Sequence, residues 1–418
     1  MAAVVAGNAL EFYNFVTFGY FAIYIGTTFF PDVGRHSSLL LSLATFGVGF
    51  LTRPLGAIVI GRMGDRVGRK PAMILSFTLM GIGVIGLALT PSYARIGIAA
   101  PILVIIFRLA QGFALGGEVG PTTAYLVEAA PPVRRGFYTS LSFMTQDGAA
   151  LCAALVGLAL SSALTEQQLQ DWGWRAAMLI GATIVPFGLW MRRSLPETFD
   201  AAEHRAASGP ENLVTRPRTD LRPYLPVIVL GLFLLGSATI GNYVLSYMTT
   251  YAIDTLKMAP AIAFGASVVN GVLLVVLEPI SGWASDRFGR KPVMLVPAVP
   301  LLLAIVPCFW VISHARDPVV FYGAVGVLSF LFAIANTPPV ILITETLPRP
   351  VRSGGLAIIY AVAISIFGGS TQVTIQWLID TTGNPLAPAF YWAGALAIGI
   401  VAMVLVPESA PAKTGRST

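Results

Sequence analysis

Six ionisable residues stand inside long apolar runs of this sequence: Glu11, Arg53, Arg108, Glu118, Asp147 and Glu278. A charge at the centre of a bilayer costs at least about 2.5–3.5 kcal/mol on insertion scales, so each must face a cavity or a partner. Arginine presents a planar fork of donors that grips a carboxylate through two parallel bonds. Arg108 and Arg53 therefore suit an organic anion, although Arg53 lies near a helix end, where a long side chain also snorkels to the interface. A buried carboxyl near an arginine has its protonation set by burial and charge in competition, which is the chemistry of a proton carrier. Glu11 and Glu118 lead that class, with Asp147 and Glu278 behind them. Arg108 and Glu118 share one run, for which a functional role is favoured over the alternative of a structural ion pair. The second half offers no cation inside an apolar run. Its polar groups inside apolar runs are Asn242, Tyr243, Tyr247, Asn336, Gln372 and Gln376, each of which is also a plausible packing residue.

Only a membrane bundle can hold charges in this setting. Of 418 residues, 56% are hydrophobic and 11% charged, against about 25% charged in a soluble chain, and the mean hydropathy is +0.77. The apolar runs have the roughly 20-residue length of a spanning helix and no strand-like alternation, which excludes a barrel. They predict helices near 3–30, 37–61, 71–91, 96–128, 136–163 and 172–192, then 222–252, 258–284, 292–313, 318–345, 353–380 and 387–407. The longest polar break gives a division into an N-terminal bundle over 1–192, a linker over 193–221 and a C-terminal bundle over 222–418. Loops at one end of these helices hold Arg62, Arg66, Arg69, Lys70, Arg134, Arg135, Arg287, Arg290, Lys291, Arg349 and Arg352, and the linker is also basic. The opposite loops hold Arg35, Arg95, Arg175, Lys257 and Arg316. That asymmetry predicts both termini in the cytoplasm and explains the net charge of +6 without a nucleic-acid partner.

The strongest pattern is a repeat. Gly61-Arg62-Met63-Gly64-Asp65-Arg66-Val67-Gly68-Arg69-Lys70-Pro71 follows the second run, and Gly282-Trp283-Ala284-Ser285-Asp286-Arg287-Phe288-Gly289-Arg290-Lys291-Pro292 follows the eighth. Glu128 with Pro131 and Arg135 matches Glu345 with Pro348 and Arg352, and Pro196-Glu197 matches Pro407-Glu408. Two copies at symmetric positions predict paired lobes latched by Asp65, Arg66, Arg69 and Glu128 in one half and Asp286, Arg287, Arg290 and Glu345 in the other. Gly112, Gly116 and Gly120 predict a close helix contact. Pro279 and Pro338-Pro339 predict kinks. Cys152 and Cys308, both in apolar runs, read as small buried side chains. His36, His204 and His314 stand singly, so no metal site is expected. No nucleophile elbow, phosphate loop or zinc helix appears, and no enzymatic centre is expected.

At the duplicated loop the chain resembles the major facilitator superfamily. Arg108-Leu-Ala-Gln111-Gly112, Gly116-Gly117-Glu118, Tyr125 to Pro131, Asn8-x-x-Glu11 and Trp172-Gly173-Trp174-Arg175 make it similar to the metabolite:proton symporter family within it. Ile366-Phe367-Gly368-Gly369, Leu10-Glu11 and Phe18-Gly19 are most similar to citrate and tricarballylate carriers. The resemblance implies twelve transmembrane helices in two pseudo-symmetric six-helix bundles, an all-α membrane protein. It implies symport of a small organic anion by alternating access across the inner (plasma) membrane, as a monomer surrounded by lipid. Arg108, Arg53, Asn14, Gln111, Tyr243, Tyr247, Asn336 and Gln372 would bind the substrate. Glu11, Glu118 and Asp147 would couple the proton. No cofactor beyond the proton is implied, and sodium stays open as a co-ion. The first helix departs from the family where Asn14 replaces an acid. An amide carries no proton, so coupling has moved or its stoichiometry differs. Carriage of betaine or a shikimate-like acid, and a transport-inactive sensor, are the alternatives.

Overall fold

The computed structural model describes residues 12–31, 34–67, 69–116, 130–182, 186, 224–347, 355–356 and 359–415, and among these no strand forms. The first helix, α1, is helical over 12–20 and again over Ala22–Phe29. It is followed by α2 (Arg35–Leu51), α3 (Arg53–Arg66), α4 (Arg69–Leu89), α5 (Ala99–Gly116) and α6 (Arg135–Ala163). Next, α7 is helical over 174–182 after a π-turn at Leu169–Gly173. The second half holds α8 (Leu225–Thr250), α9 (Pro260–Phe288), α10 (Arg290–Ala315), α11 (Pro318–Asn336) and α12 (Pro338–Thr346). It ends with α13, which starts at 359 and continues to Thr382 through a π-turn at Ile364–Gly368, and α14 (Ala387–Leu405). Nine described spans are long and apolar enough to cross a membrane.

Side chains such as Val296 (71% exposed) and Leu303 (70%) point outward from mid-helix, which water would penalise and lipid does not. The same outward face holds Cys152, which is exposed, while Cys308 is half-buried; both are free thiols. The expectation that these are buried small residues is corrected for Cys152. An apolar run in a lipid-facing helix has no obligation to point inward.

Two of the expected continuous helices are broken, for the same reason each time. Proline lacks an N–H and leaves the carbonyl four residues earlier without its helical donor. Pro54 stands at the start of α3, and the freed Phe50 carbonyl accepts a bond from Ser365 Oγ at 3.0 Å. The hinge residue Thr52 gives its own hydroxyl to Leu109 O of α5 at 2.7 Å. Pro338 opens α12, and the freed Ile334 carbonyl accepts Ser281 Oγ at 2.7 Å. By contrast, the kink expected at Pro279 leaves α9 helical from end to end. The fourth-run stripe makes its contact: a Cβ on Gly112 would meet Gly49 O, and one on Gly116 would meet Arg53 O. Gly120 lies outside the described residues.

The halves meet along two antiparallel helix pairs. On one seam α6 runs against α9, where Gly136 backs onto Gly282, Leu151 onto Gly271 and Gly157 onto Phe264. On the other, α2 runs against α13, with Gly47 against Gly369 and Ser365 bonded to Phe50 O. At the end of that seam His36 Nδ1 lies 3.2 Å from Asp380 Oδ1. Aromatic rings from both halves, Phe46 and Phe50 with Tyr243, close the middle at 6.0 and 5.5 Å between centroids.

Replacing Gly112 with valine should lower the melting temperature in detergent, by the equivalent of about 1–3 kcal/mol or more, because backbone rather than a flexible side chain opposes the new atoms. Gly61→Ala, into open space, should melt with the wild type. Equal melting of both variants would contradict the packing described.

Candidate functional site

Between the halves lies a small cavity of about 90 Å³, below the roughly 300–1,000 Å³ of an open small-molecule site. Its walls come from both halves. From the first half come Phe12 and Val16 of α1, Arg53, and Phe143, Gln146, Asp147 and Ala150 of α6. From the second come Thr239, Asn242, Tyr243 and Ser246 of α8, Asn336, Val340, and Tyr360 and Ile364 of α13. The helix breaks place two of the polar groups. Arg53 follows the break at Thr52, and Asn336 precedes the break at Thr337. Among the described lining residues Arg53 is the cation, and Tyr243 is within hydrogen-bonding reach of it.

Arg53 and Arg108 share an aromatic ring. Their guanidinium carbons each lie 4.4 Å from the Phe15 centroid. Arg53 also covers Phe50 at 4.1 Å, and Arg108 covers Phe18 at 4.4 Å and Phe46 at 5.1 Å. The electron-rich ring faces stabilise cations that water cannot reach. Arg108 is fully buried, donates to Gln111 Oε1 at 2.6 Å and to Phe46 O at 3.4 Å, and does not line the cavity. The residue expected to grip substrate is therefore one layer behind the wall, with Gln111 bound to it. Arg53 stands at the wall.

The other expected ligands divide in the same way. Tyr243 and Asn336 face the cavity. Asn14 is buried and donates to Gly181 O of α7 at 3.4 Å. Tyr247 gives its hydroxyl to Gln376, whose amide donates to Asp380 Oδ1 at 2.9 Å. Gln372 is 2% exposed and sits beside Gly19. Spacing alone could have found the residues that sequence reasoning passed over. Thr239 and Ser246 recur at the helical face of Asn242 and Tyr243, and Phe143, Gln146 and Ala150 at that of Asp147.

Asp147 reaches the cavity from α6, and a side-chain hydrogen bond joins it across the seam to Glu278 of α9. Glu11, Glu118 and Glu128 lie outside the described residues. The side chains of Asp65, Arg66 and Arg69 are likewise not described.

In the second copy the repeated loop turns out to be mostly helix. Helix α9 runs through Phe288, α10 starts at Arg290, and only Gly289 turns between them at φ 103, a region that glycine enters without strain. Arg290 is completely buried and gathers the cluster. Its guanidinium donates to Asp286 Oδ1 at 2.8 Å, to Ser285 Oγ at 2.7 Å, and to Glu345 at 3.0 and 3.2 Å. Asp286 also accepts from the backbone of the other half, at the start of α6: Gly136 N at 2.8 Å and Phe137 N at 2.9 Å. A carboxylate there satisfies orphan N–H groups and the positive end of the helix dipole. Arg287 stays outside, over Trp283 and Phe288 at 5.8 and 5.7 Å.

Glu408 was visible only as half of a repeated Pro-Glu pair, yet it completes this cluster. It accepts from Arg290 N and Lys291 N at 3.0 Å each and so caps α10. Burial pushes its carboxyl up, but backbone N–H donors from Ala410, Lys291, Arg290 and Ser409 outweigh this and hold it below its ordinary value of 4.5. Ser409 Oγ ties Glu345 to the same end at 2.7 Å.

Residues 9–277 match the family model described as Major Facilitator Superfamily, and residues 200–414 match the model of sugar and other transporters. The chain is 35% identical over 402 residues to the citrate-proton symporter of Klebsiella pneumoniae, covering 96% of this chain and 89% of that one. It is 32% identical to the alpha-ketoglutarate permease of Escherichia coli K12, covering 93% and 88%. It is 31% identical to the proline/betaine transporter of the same strain, covering 98% and 83%. In fold it is similar to a crystal structure of a D-xylose-proton symporter, with a TM-score of 0.79, 18% identity, and coverage of 100% and 98%.

Arg290→Met leaves two buried carboxylates without their fork and should cost about 3–5 kcal/mol in thermal unfolding; a melting curve matching wild type would refute the cluster's role. Acid should weaken the cap as well. With a depressed folded value, Glu408 contributes its stability in full above its ordinary 4.5 and loses it as pH falls through the lower folded value. Melting of Glu408→Gln should therefore fall less steeply than wild type on acidification below pH 4.5, and parallel pH profiles would count against it.

Proposed function

This chain belongs to the major facilitator superfamily and is a multi-pass membrane transporter, and we propose that it is a proton-coupled symporter of a small organic anion. The class we assign is a di- or tricarboxylate, citrate first. The observation that carries this is Arg53 at the wall of the cavity between the halves, with Arg108 one ring behind it. Both cations sit in an aromatic, water-poor setting where an anion is strongly favoured. An arriving carboxylate would take the Arg53 fork and relieve its repulsion with Arg108. Tyr243, Asn242 and Asn336 would bind the remaining oxygens from the opposite lobe. Relatives named for citrate and alpha-ketoglutarate support the anion reading.

Transport would follow by rocking the bundle 1–192 against the bundle 222–418 about this site, with 193–221 as the linker. The excess of Lys and Arg in these loops supports an orientation with the Asp286–Arg290–Glu345 cluster and both termini at the cytoplasmic face of the inner membrane. In that orientation Asp286 on the α6 N-terminus closes the cytoplasmic mouth, and His36 with Asp380 closes the other.

A second reading has one observation in its favour. The Asp147 carboxyl, with Phe12, Phe143, Tyr243 and Tyr360 on the same walls, could hold a quaternary ammonium. The proline/betaine transporter at 31% identity belongs to that chemistry.

Proteoliposome uptake of labelled citrate, alpha-ketoglutarate, betaine and xylose, with and without an imposed pH gradient, separates these readings. We expect carboxylate accumulation that the gradient drives and Arg53→Gln reduces at least tenfold. Uptake of betaine alone would transfer the assignment to the second reading, and uptake indifferent to the gradient would remove proton coupling.

A further inference from the structure

Along the seam between α6 and α9 the facing positions are glycine against backbone or an apolar side chain at three levels. At a fourth they are two acids. Asp147 and Glu278 come from opposite halves and are joined by a side-chain hydrogen bond. Two carboxylates have no donor between them, so this bond requires a proton on one of them. Glu278 supplies a second observation. It is 2% exposed, and its Oε2 is buried with no hydrogen-bond partner. An ionised carboxylate oxygen left in that state would carry an uncompensated desolvation penalty. The titratable groups near Asp147 are Tyr20 from α1, which is bonded to Ser267 of α9, Tyr243 from α8 and Tyr360 from α13. All three are phenols. Arg53, from α3, lines the same cavity as Asp147.

We infer that Asp147 and Glu278 hold a single proton between them, and that this proton is the coupling ion and the bond that keeps the α6–α9 seam closed at the level of the substrate. The inference rests on the symport reading for its role in transport, but not for the proton itself. In the closed state one carboxyl is protonated and donates to the other, with a net charge of −1 on the pair. Release of H⁺ leaves two carboxylates and a charge of −2 in one desolvated space, and like charges so placed repel. The repulsion acts across the seam and separates the halves. Asp147 touches the cavity, which gives the proton an exit to the water that enters when the cavity opens. Reprotonation closes the seam again. This placement answers the loss of an acid at Asn14, because the proton is held at the boundary between lobes instead of inside the first one.

Infrared difference spectroscopy of the purified protein tests the proton without any transport assay. At neutral pH the wild type should show the carbonyl stretch of a protonated carboxyl, and the same band should vanish in Asp147→Asn and also in Glu278→Gln. A band that survives in both variants, or is absent from the wild type, overturns the inference. Monodisperse elution and citrate exchange down no gradient serve as the folding check for Glu278→Gln. That variant should still exchange, while its pH-driven accumulation falls at least tenfold and the double variant falls no further. Driven accumulation within twofold of wild type in both single variants overturns the coupling role. If the wild type shows the shared-proton band but transports no carboxylate, the substrate reading fails and the proton assignment stands.

Discussion

A helix in lipid must satisfy its own backbone, because no water is present to do it, and proline breaks that closure wherever it falls. Two breaks organise this protein. Pro54 frees the Phe50 carbonyl, which Ser365 of the opposite half takes up. Pro338 frees the Ile334 carbonyl, which Ser281 takes up from α9. In each case a serine hydroxyl repairs the defect, and in each case the residue beside the break turns to the cavity. Arg53 and Asn336 line the cavity because the local backbone has been bent to present them and an outside donor stabilises the bend.

The seams depend on a related economy of space. Where α6 meets α9 and α2 meets α13, glycine removes the side chain that would hold the backbones apart, and the contact is van der Waals packing over most of its length. Packing of this kind has no strong directional preference along the seam. Direction comes from a few polar pairs at defined levels: Asp286 on the start of α6, Asp147 with Glu278 in the middle, and His36 with Asp380 at the far end of the other seam. A seam that is mostly neutral packing with sparse polar pins can separate at one end while holding at the other, as alternating access requires.

Arg108 illustrates how burial in an apolar run marks a charge without saying which wall it reaches. Its burial within an apolar run rightly marks it as a costly charge. The cost is met by Phe15, Phe18 and Phe46 and by Gln111, all inside the first half. Behind the wall it still acts on the cavity through its field, since low dielectric extends the reach of a charge. Arg53, which the sequence left open between an anion-binding and an interfacial role, stands at the wall itself because the helix breaks at Thr52.

Composition and the duplicated loop by themselves determined the membrane bundle, the two related halves and the family, because lipid tolerates few backbone solutions and the repeat writes its symmetry into the order of residues. Among the described residues the helix ends were legible to within a few residues for the same reason, the breaks at Thr52 and Thr337 apart. Which polar residues meet was decided only in three dimensions. Asp147 and Glu278 are far apart along the chain, and Glu408 joins Arg290 only when α14 returns beside α10. A helix shows one face inward, and the sequence period defines that face without saying which neighbour covers it. The pairs that carry the chemistry are contacts between helices, and those follow from packing in the tertiary fold.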